Sequence, residues 1–217
     1  MADRFSVIFD MDGVIFDSER AYINTFRDIC GRDGIPFIEQ ACVECIGSNW
    51  DATKRIYEKW YGEDWDFPYY YNKVREEMGR LSFPLKPCVR EIFDYLGSAD
   101  IPCALASSTR RESVERMLDN AGLRECFSAI VCGDMVSRSK PAPDIFLAAG
   151  DALGAAPYEC FVIEDSFNGV RAGHAAGMRT IMVPDILQPD DEIRSLAEAV
   201  LPDLGGVIEY FRKQARI

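Results

Sequence analysis

Short apolar runs, each ending in a polar tip and followed by a segment of helical periodicity, recur along this chain. They are Ser6-Val7-Ile8-Phe9, Ile101-Pro102-Cys103-Ala104-Leu105-Ala106, Ala129-Ile130-Val131-Cys132, Cys160-Phe161-Val162-Ile163 and Thr180-Ile181-Met182-Val183. Runs that are apolar on both faces and alternate with amphipathic segments predict strands of a parallel sheet covered by helices. The spacing predicts helices over 111–121, 143–153, 167–176 and 192–200. The expected fold is α/β, a doubly wound parallel sheet.

One interval breaks this rhythm. No run of comparable quality lies between Asp10 and Ile101, and a single crossover helix needs far fewer residues. Much of the interval reads as several helices rich in aromatic residues, Trp50, Tyr57, Trp60 and Trp65 among them. A helical second domain over 18–83 is therefore expected, inserted into a core of 1–17 and 84–217, with Phe83-Pro84-Leu85-Lys86-Pro87 as the return linker. Within it Tyr69, Tyr70 and Tyr71 cannot share one helix face, so at least one looks toward solvent or a cleft.

Composition narrows the function. The 217 residues are 48% hydrophobic and 28% charged, ordinary for a globular chain. A net charge of -12 opposes the counterion release that drives nucleic-acid binding, so nucleic acids and anionic membranes are poor partners. No apolar stretch approaches the roughly 18 residues of a membrane span, and Met1-Ala2-Asp3-Arg4 carries no signal-peptide pattern. A cytoplasmic location and a monomer are the expectations. The eight cysteines are scattered through strand-like and helix-like segments and read as reduced, buried thiols. Cys42-Val43-Glu44-Cys45 lacks a second CxxC and a nearby histidine, so it reads as helix packing.

In a parallel sheet the carboxyl ends of the strands share one edge, where ligands bind. The tips there are Asp10-Met11-Asp12-Gly13, Ser107-Ser108-Thr109 and Glu164-Asp165-Ser166. Four carboxylates on one edge raise one another's pKa and call for a cation. Oxygen-only ligands beside phosphate suit magnesium, Mg2+. Lys140, in Ser137-Arg138-Ser139-Lys140-Pro141-Ala142-Pro143, precedes a predicted helix and can bring a fixed positive charge to that edge. Such a set suits phosphoryl transfer, which depends on positioning and charge neutralisation. His174 is the only histidine and lies away from the tips, which disfavours Ser-His-Asp or Cys-His chemistry. Neither GxxxxGK[ST] nor GxGxxG occurs.

Phe9-Asp10-Met11-Asp12-Gly13-Val14-Ile15-Phe16-Asp17-Ser18-Glu19, Ala104-Leu105-Ala106-Ser107-Ser108, Ser139-Lys140-Pro141-Ala142-Pro143-Asp144 and Ile163-Glu164-Asp165-Ser166 resemble, in order, the four motifs of the haloacid dehalogenase-like hydrolases. The nearest resemblance is to the branch of β-phosphoglucomutase and small-metabolite phosphatases, in which an inserted helical domain caps the site. The resemblance implies that Asp10 attacks phosphorus and becomes an aspartyl phosphate, and that Asp12 protonates the leaving oxygen and then activates water. It implies that Ser107 donates to the transferring group and that Lys140 neutralises its charge. It places magnesium on the Asp10 carboxylate, the Asp12 backbone carbonyl, Glu164 and Asp165. Ser107, Ser108, Thr109, Lys140, Trp50 and Tyr22 are the expected substrate contacts.

True dehalogenases resemble this pattern but lack an acid two residues after the nucleophile, so Asp12 disfavours dehalogenation. The expected activity is hydrolysis of a small phosphorylated metabolite similar to a sugar phosphate. A phosphosugar mutase is the alternative, weakened because Tyr22 stands where the mutase has a cap histidine and Trp50 where it has a phosphate-gripping arginine. A non-catalytic phospho-Asp signalling or interaction protein accounts for neither Asp12 nor the inserted helices.

Overall fold

The computed structural model describes residues 5–48 and 50–214, and the outermost ends of the expected core lie outside them. Six strands form one sheet in the order β3-β2-β1-β4-β5-β6. They are β1 (Ser6–Phe9), β2 (Cys103–Ser107), β3 (Ala129–Cys132), β4 (Cys160–Glu164), β5 (Arg179–Met182) and β6 (Ala199–Val200), and every neighbouring pair is parallel. The central strand is buried along its whole length, because a sheet covered on both faces leaves no solvent side for a polar residue.

Alternation along the strands sorts side chains to two faces. Val7, Phe9, Leu105, Phe161 and Ile163 point to one face, where α5 (Val89–Ser98), α6 (Arg111–Ala121) and α10 (Leu204–Gln214) pack. Ile8, Ala104, Ala106 and Val162 point to the other, against α7 (Asp144–Leu153) and α8 (Phe167–Ala175). The two alanines of β2 leave room for Ile145, Phe146 and Ala149 of α7.

The expected helix over 192–200 is shorter than its pattern. After α9 (Asp191–Leu196), capped by the Asp190 carboxylate on Ile193 N–H at 2.8 Å, Ala197 turns extended and the chain enters β6. Ala199 and Val200 pair with Ile181 and Met182, and Glu198 N–H reaches Thr180 O at 2.7 Å. The unpaired edge of β5 takes these residues out of the helix. Neither α5 nor α10 was expected, although Leu204, Val207, Ile208 and Phe211 of α10 recur with helical spacing.

Between β1 and α5 the chain leaves the sheet through four helices, α1 (Ser18–Asp33), α2 (Glu39–Glu44), α3 (Trp50–Tyr61) and α4 (Phe67–Met78). They enclose their own apolar cluster, centred on Phe26, Ile29, Tyr57, Phe67 and Val74. Tyr57 stacks on Trp65 at 5.3 Å and meets the edge of Phe26 at 5.1 Å. Cys42 and Cys45 are buried in the same cluster, Cys42 Sγ lying 3.4 Å from Tyr57 Oη, and all eight cysteines are free. Of the three consecutive tyrosines, Tyr69 is exposed while Tyr70 and Tyr71 are half-buried. The outgoing and returning crossings lie side by side: Asp17 N–H donates to Pro84 O at 3.0 Å and Lys86 N–H to Ile15 O at 2.9 Å. Among the described residues no helix is long and apolar enough to cross a membrane.

Phe211 of α10 is fully buried against Phe5 and Phe161, with ring centroids 5.0 Å away in each case. Phe211→Ala is expected to cost about 3–5 kcal/mol, read as a lowered urea midpoint at unchanged slope. A loss below about 1 kcal/mol would mean that α10 is not part of the core.

Candidate active site

β1 and β4 are adjacent, so Asp10 and Glu164 leave the sheet side by side, Asp10 N–H donating to Ile163 O at 2.9 Å. Beyond Asp10 the chain curls back at Gly13, whose φ of +77° suits glycine. Its missing side chain leaves space for Asp165, since a Cβ there would fall 2.1 Å from Asp165 Oδ2.

Lys140 arrives from the loop before α7 and is almost wholly buried. Its ammonium donates to Asp10 Oδ1, to Glu164 Oε1 at 2.7 Å and to Ala106 O at 3.3 Å, and lies 4.8 Å from the Phe146 ring centroid. The other Glu164 oxygen accepts from Asp165 N–H at 2.9 Å, Ser166 N–H at 2.8 Å and Ser166 Oγ at 2.9 Å. Glu164 is thus held on both oxygens. Ser166 in turn caps α8, accepting from Gly169 N–H at 3.0 Å. A Cβ on Gly169 would lie 1.7 Å from Glu164 Oε1, so this contact requires glycine.

Asp12 stands apart from that ion-paired group and is surrounded by hydroxyls. Ser18 Oγ donates to its Oδ1 at 2.7 Å, while Thr109 Oγ1 at 2.8 Å and Ser107 Oγ at 3.4 Å reach its Oδ2. Ser107 is fully buried behind Asp12 and does not line the cleft, whereas Ser108 and Thr109 do. The Ser108 hydroxyl is buried without a hydrogen-bond partner.

Asp10, Glu164 and Asp165 each offer a carboxylate oxygen within 4.8 Å of the others. One lysine cannot neutralise three buried carboxylates. Burial, with Glu164 and Asp12 nearby, pushes Asp10 up to about 8 against the attraction of Lys140. Burial beside Glu164 and Glu19 raises Asp165 too. Burial alone would lower Lys140, but Asp10 and Glu164 raise it, so it stays charged. An oxygen-only cluster with excess negative charge fits a hard divalent cation. The Asp12 side chain is not in this cluster.

The cluster forms the floor of a cleft of about 490 Å³ between the sheet edge and the inserted helices. Trp50 faces it, 38% exposed and backed by Phe67 at 4.7 Å and Tyr71 at 4.5 Å. Tyr22 lines it as well, but its hydroxyl is engaged with Tyr57 Oη at 3.0 Å, and burial raises its pKa. His174 is exposed on α8 and does not line the cleft.

Several cleft residues escaped sequence reasoning. Ser18 sits in the first motif, but its contact with Asp12 depends on how the first turn of α1 is presented. Glu19 faces the cleft with no hydrogen-bond partner among the described residues, and burial close to Asp12 and Asp10 pushes it up to about 8. Arg75, Arg110 and Arg116 also line the cleft, and none lies within 4.0 Å of a described carboxylate. Arg116 instead donates to Gly79 O at the end of α4. In a chain so rich in ion pairs, surface arginines carry little signal until the fold gathers them.

Comparison with known proteins agrees with this geometry. The chain is 33% identical to the fructose-1-phosphate phosphatase YqaB of Escherichia coli, over 84% of this chain and 98% of that protein. It is 31% identical to the bifunctional riboflavin kinase/FMN phosphatase of Arabidopsis thaliana over 94% of this chain, which spans about half, 55%, of that longer protein. The structure matches a putative β-phosphoglucomutase from Thermotoga maritima with a TM-score of 0.77 at 27% identity, covering 96% of this chain and 99% of the other. The sequence profile of the haloacid dehalogenase-like hydrolases matches residues 7–183, and with the motif residues gathered at one sheet edge the chain belongs to that family.

Proposed function

We propose that this chain is a magnesium-dependent phosphatase of a small phosphorylated metabolite, acting through an aspartyl phosphate on Asp10. The observation that carries the reading is the pairing of Lys140 with both Asp10 and Glu164 beside an Asp165 that has no cationic partner among the described residues. Residues 1–17 and 84–217 are read as the catalytic domain and 18–83 as its cap. The negative net charge and the free thiols favour a cytoplasmic protein without nucleic-acid or membrane partners, and a monomer is the working state.

In the first step an Asp10 oxygen forms a bond to phosphorus while the bond from phosphorus to the ester oxygen breaks, and Asp12 gives its proton to that leaving oxygen. In the second, water attacks the phosphoryl group, Asp12 takes its proton, and Asp10 is released with inorganic phosphate. Three hydroxyls orient Asp12, and Ser107, which does not line the cleft, acts through Asp12 and not on the phosphoryl group itself. Ser108 offers a further, unused hydroxyl, and Lys140 presents a fixed positive charge to the phosphoryl group. Asp10, Asp165 and the Asp12 backbone carbonyl are the proposed ligands of magnesium, with Glu164, already held on both oxygens, acting through water. The ion would screen the repulsion between the carboxylates and phosphate. Trp50 offers a fixed ring face to the body of the substrate.

Hydrolysis is favoured over the mutase because the Tyr22 hydroxyl is bonded to Tyr57, leaving Asp12 to the hydroxyls of Ser18, Ser107 and Thr109. The absence of an arginine at Trp50 does not leave the cleft without cations, since Arg75, Arg110 and Arg116 could meet a second anionic group. With β-glucose 1-phosphate, a priming bisphosphate and magnesium, the expected product is free phosphate. Rapid glucose 6-phosphate formation without phosphate release would establish the mutase instead.

Asp10→Asn is expected to abolish phosphate release from a panel of sugar and nucleotide monophosphates while leaving the fold intact. Asp12→Asn should lower kcat about 10²–10⁴-fold. Wild-type turnover by Asp10→Asn on any substrate of the parent enzyme would refute the covalent route, and full activity in excess chelator would refute the metal.

The raised carboxyls also set a pH dependence. Asp10 and Glu19, with folded pKa values of about 8 against ordinary unfolded ones, bind more protons when folded than when unfolded. Stability of the metal-free protein therefore falls as pH rises from about 5 to about 8, and magnesium should raise the melting temperature more at about pH 8 than at about pH 6. Thermal melts with and without magnesium test this; a magnesium effect larger at the lower pH would contradict it.

A further inference from the structure

Asp185 lies in the loop after β5, with a side chain only 2% exposed, where the inserted helices join the sheet domain. Its Oδ1 accepts from Lys86 Nζ at 2.7 Å and from the Arg20 guanidinium. These cations belong to opposite crossings. Arg20 stands in the first turn of α1, just past the outgoing one, and Lys86 closes the returning one through its N–H bond to Ile15 O. Asp185 Oδ2 is buried with no hydrogen-bond partner. A buried carboxylate is strongly disfavoured unless paired, so this charge is compensated only while both crossings remain docked. Among the described residues, both ion pairs joining the inserted helices to the sheet domain are made by Arg20: one to Asp185, and one at 3.1 Å to Asp17, three residues back along the chain.

The first turn of α1 sends three consecutive residues to three places. Ser18 donates to Asp12, Glu19 faces the cleft, and Arg20 reaches down to Asp185. The backbone of one helical turn moves nearly as a unit, so a pin at Arg20 fixes where the Ser18 hydroxyl and the Glu19 carboxyl can be. Other polar ties between the inserted helices and the sheet domain, among the described residues, include Asn168 Nδ2 to Ser48 Oγ at 3.5 Å and Arg116 to Gly79 O, neither linking opposite charges.

We propose that Asp185 is a positioning residue for the hydrolytic site: by drawing Arg20 and Lys86 onto one oxygen it orients the first turn of α1, so that Ser18 holds Asp12 in register for proton transfer. Asp185 does not itself line the cleft. The role in turnover rests on the hydrolase reading above; the clasp between the crossings does not.

The test uses the full chain with Asp185→Asn, which keeps shape and removes the charge, and Arg20→Gln, at a half-exposed position that should not threaten folding. Hydrogen–deuterium exchange without substrate is expected to quicken roughly tenfold or more at 17–20 and 85–86 in both variants, with β1 and β4 unchanged. On whichever phosphate ester the parent enzyme hydrolyses, Asp185→Asn should lower kcat by roughly tenfold or more with little change in KM. Combining it with Ser18→Ala should cost no more than Ser18→Ala alone, because both act through Asp12. Unchanged exchange in both variants would overturn the clasp. Faster exchange with unchanged kcat, or losses that multiply with Ser18→Ala, would overturn the positioning role. A parent chain that hydrolyses no phosphate ester would count against the hydrolase reading, and the exchange comparison would still decide the clasp.

Discussion

Lys140 is a single buried ammonium set among carboxylates that outnumber it. Its two ion pairs, to Asp10 and Glu164, tie the tips of the two central strands to the loop before α7, and the adjacency of β1 and β4 in the sheet makes that possible. Glu164 can receive the lysine on one oxygen because backbone N–H groups and Ser166 satisfy the other. Asp165 has no cationic partner among the described residues, so the cluster could hold a further cation. Without Lys140, the strand ends would carry charges that burial does not permit.

The sheet was legible because both faces of each central strand are covered, which writes a continuous apolar run into the sequence. The polar tips were legible for the complementary reason: Asp10, Ser107 and Glu164 interrupt those runs at the edge where they end. Legibility failed where tertiary contacts override local pattern. Residues 199–200 carry a helix-compatible sequence, yet the open edge of β5 claims them. In the site, sequence order could not show that the Ser107 hydroxyl turns toward Asp12 and away from the cleft, or that Glu164 would be saturated with donors. Arg75 of α4, Arg110 just before α6 and Arg116 within α6 reach one cleft only through the fold.

Charge is distributed to a purpose that its total conceals. A net charge of -12 repels phosphate esters, and most surface arginines and lysines are engaged with neighbouring acids, as Arg32 is with Glu77 and Arg179 with Glu198. The cleft reverses this arrangement. Among the described residues its arginines have no acidic partners, and three of its acids, Asp10, Glu164 and Asp165, converge on one point of the floor, where a metal ion would change their sign to an approaching anion.

Gly169 occupies the first turn of α8, where almost any other residue would make a better helix. Exchanging a helical glycine for alanine is a routine way to gain stability. Here the added methyl would occupy the volume of the Glu164 carboxylate and turn that side chain away from Lys140. Breaking that buried pair costs more than the roughly 1 kcal/mol that alanine offers a helix over glycine, so the usual exchange would lose stability here and turnover with it. A screen for heat resistance alone and a screen for turnover alone would both recover glycine at 169, for the sake of a carboxylate that belongs to another element.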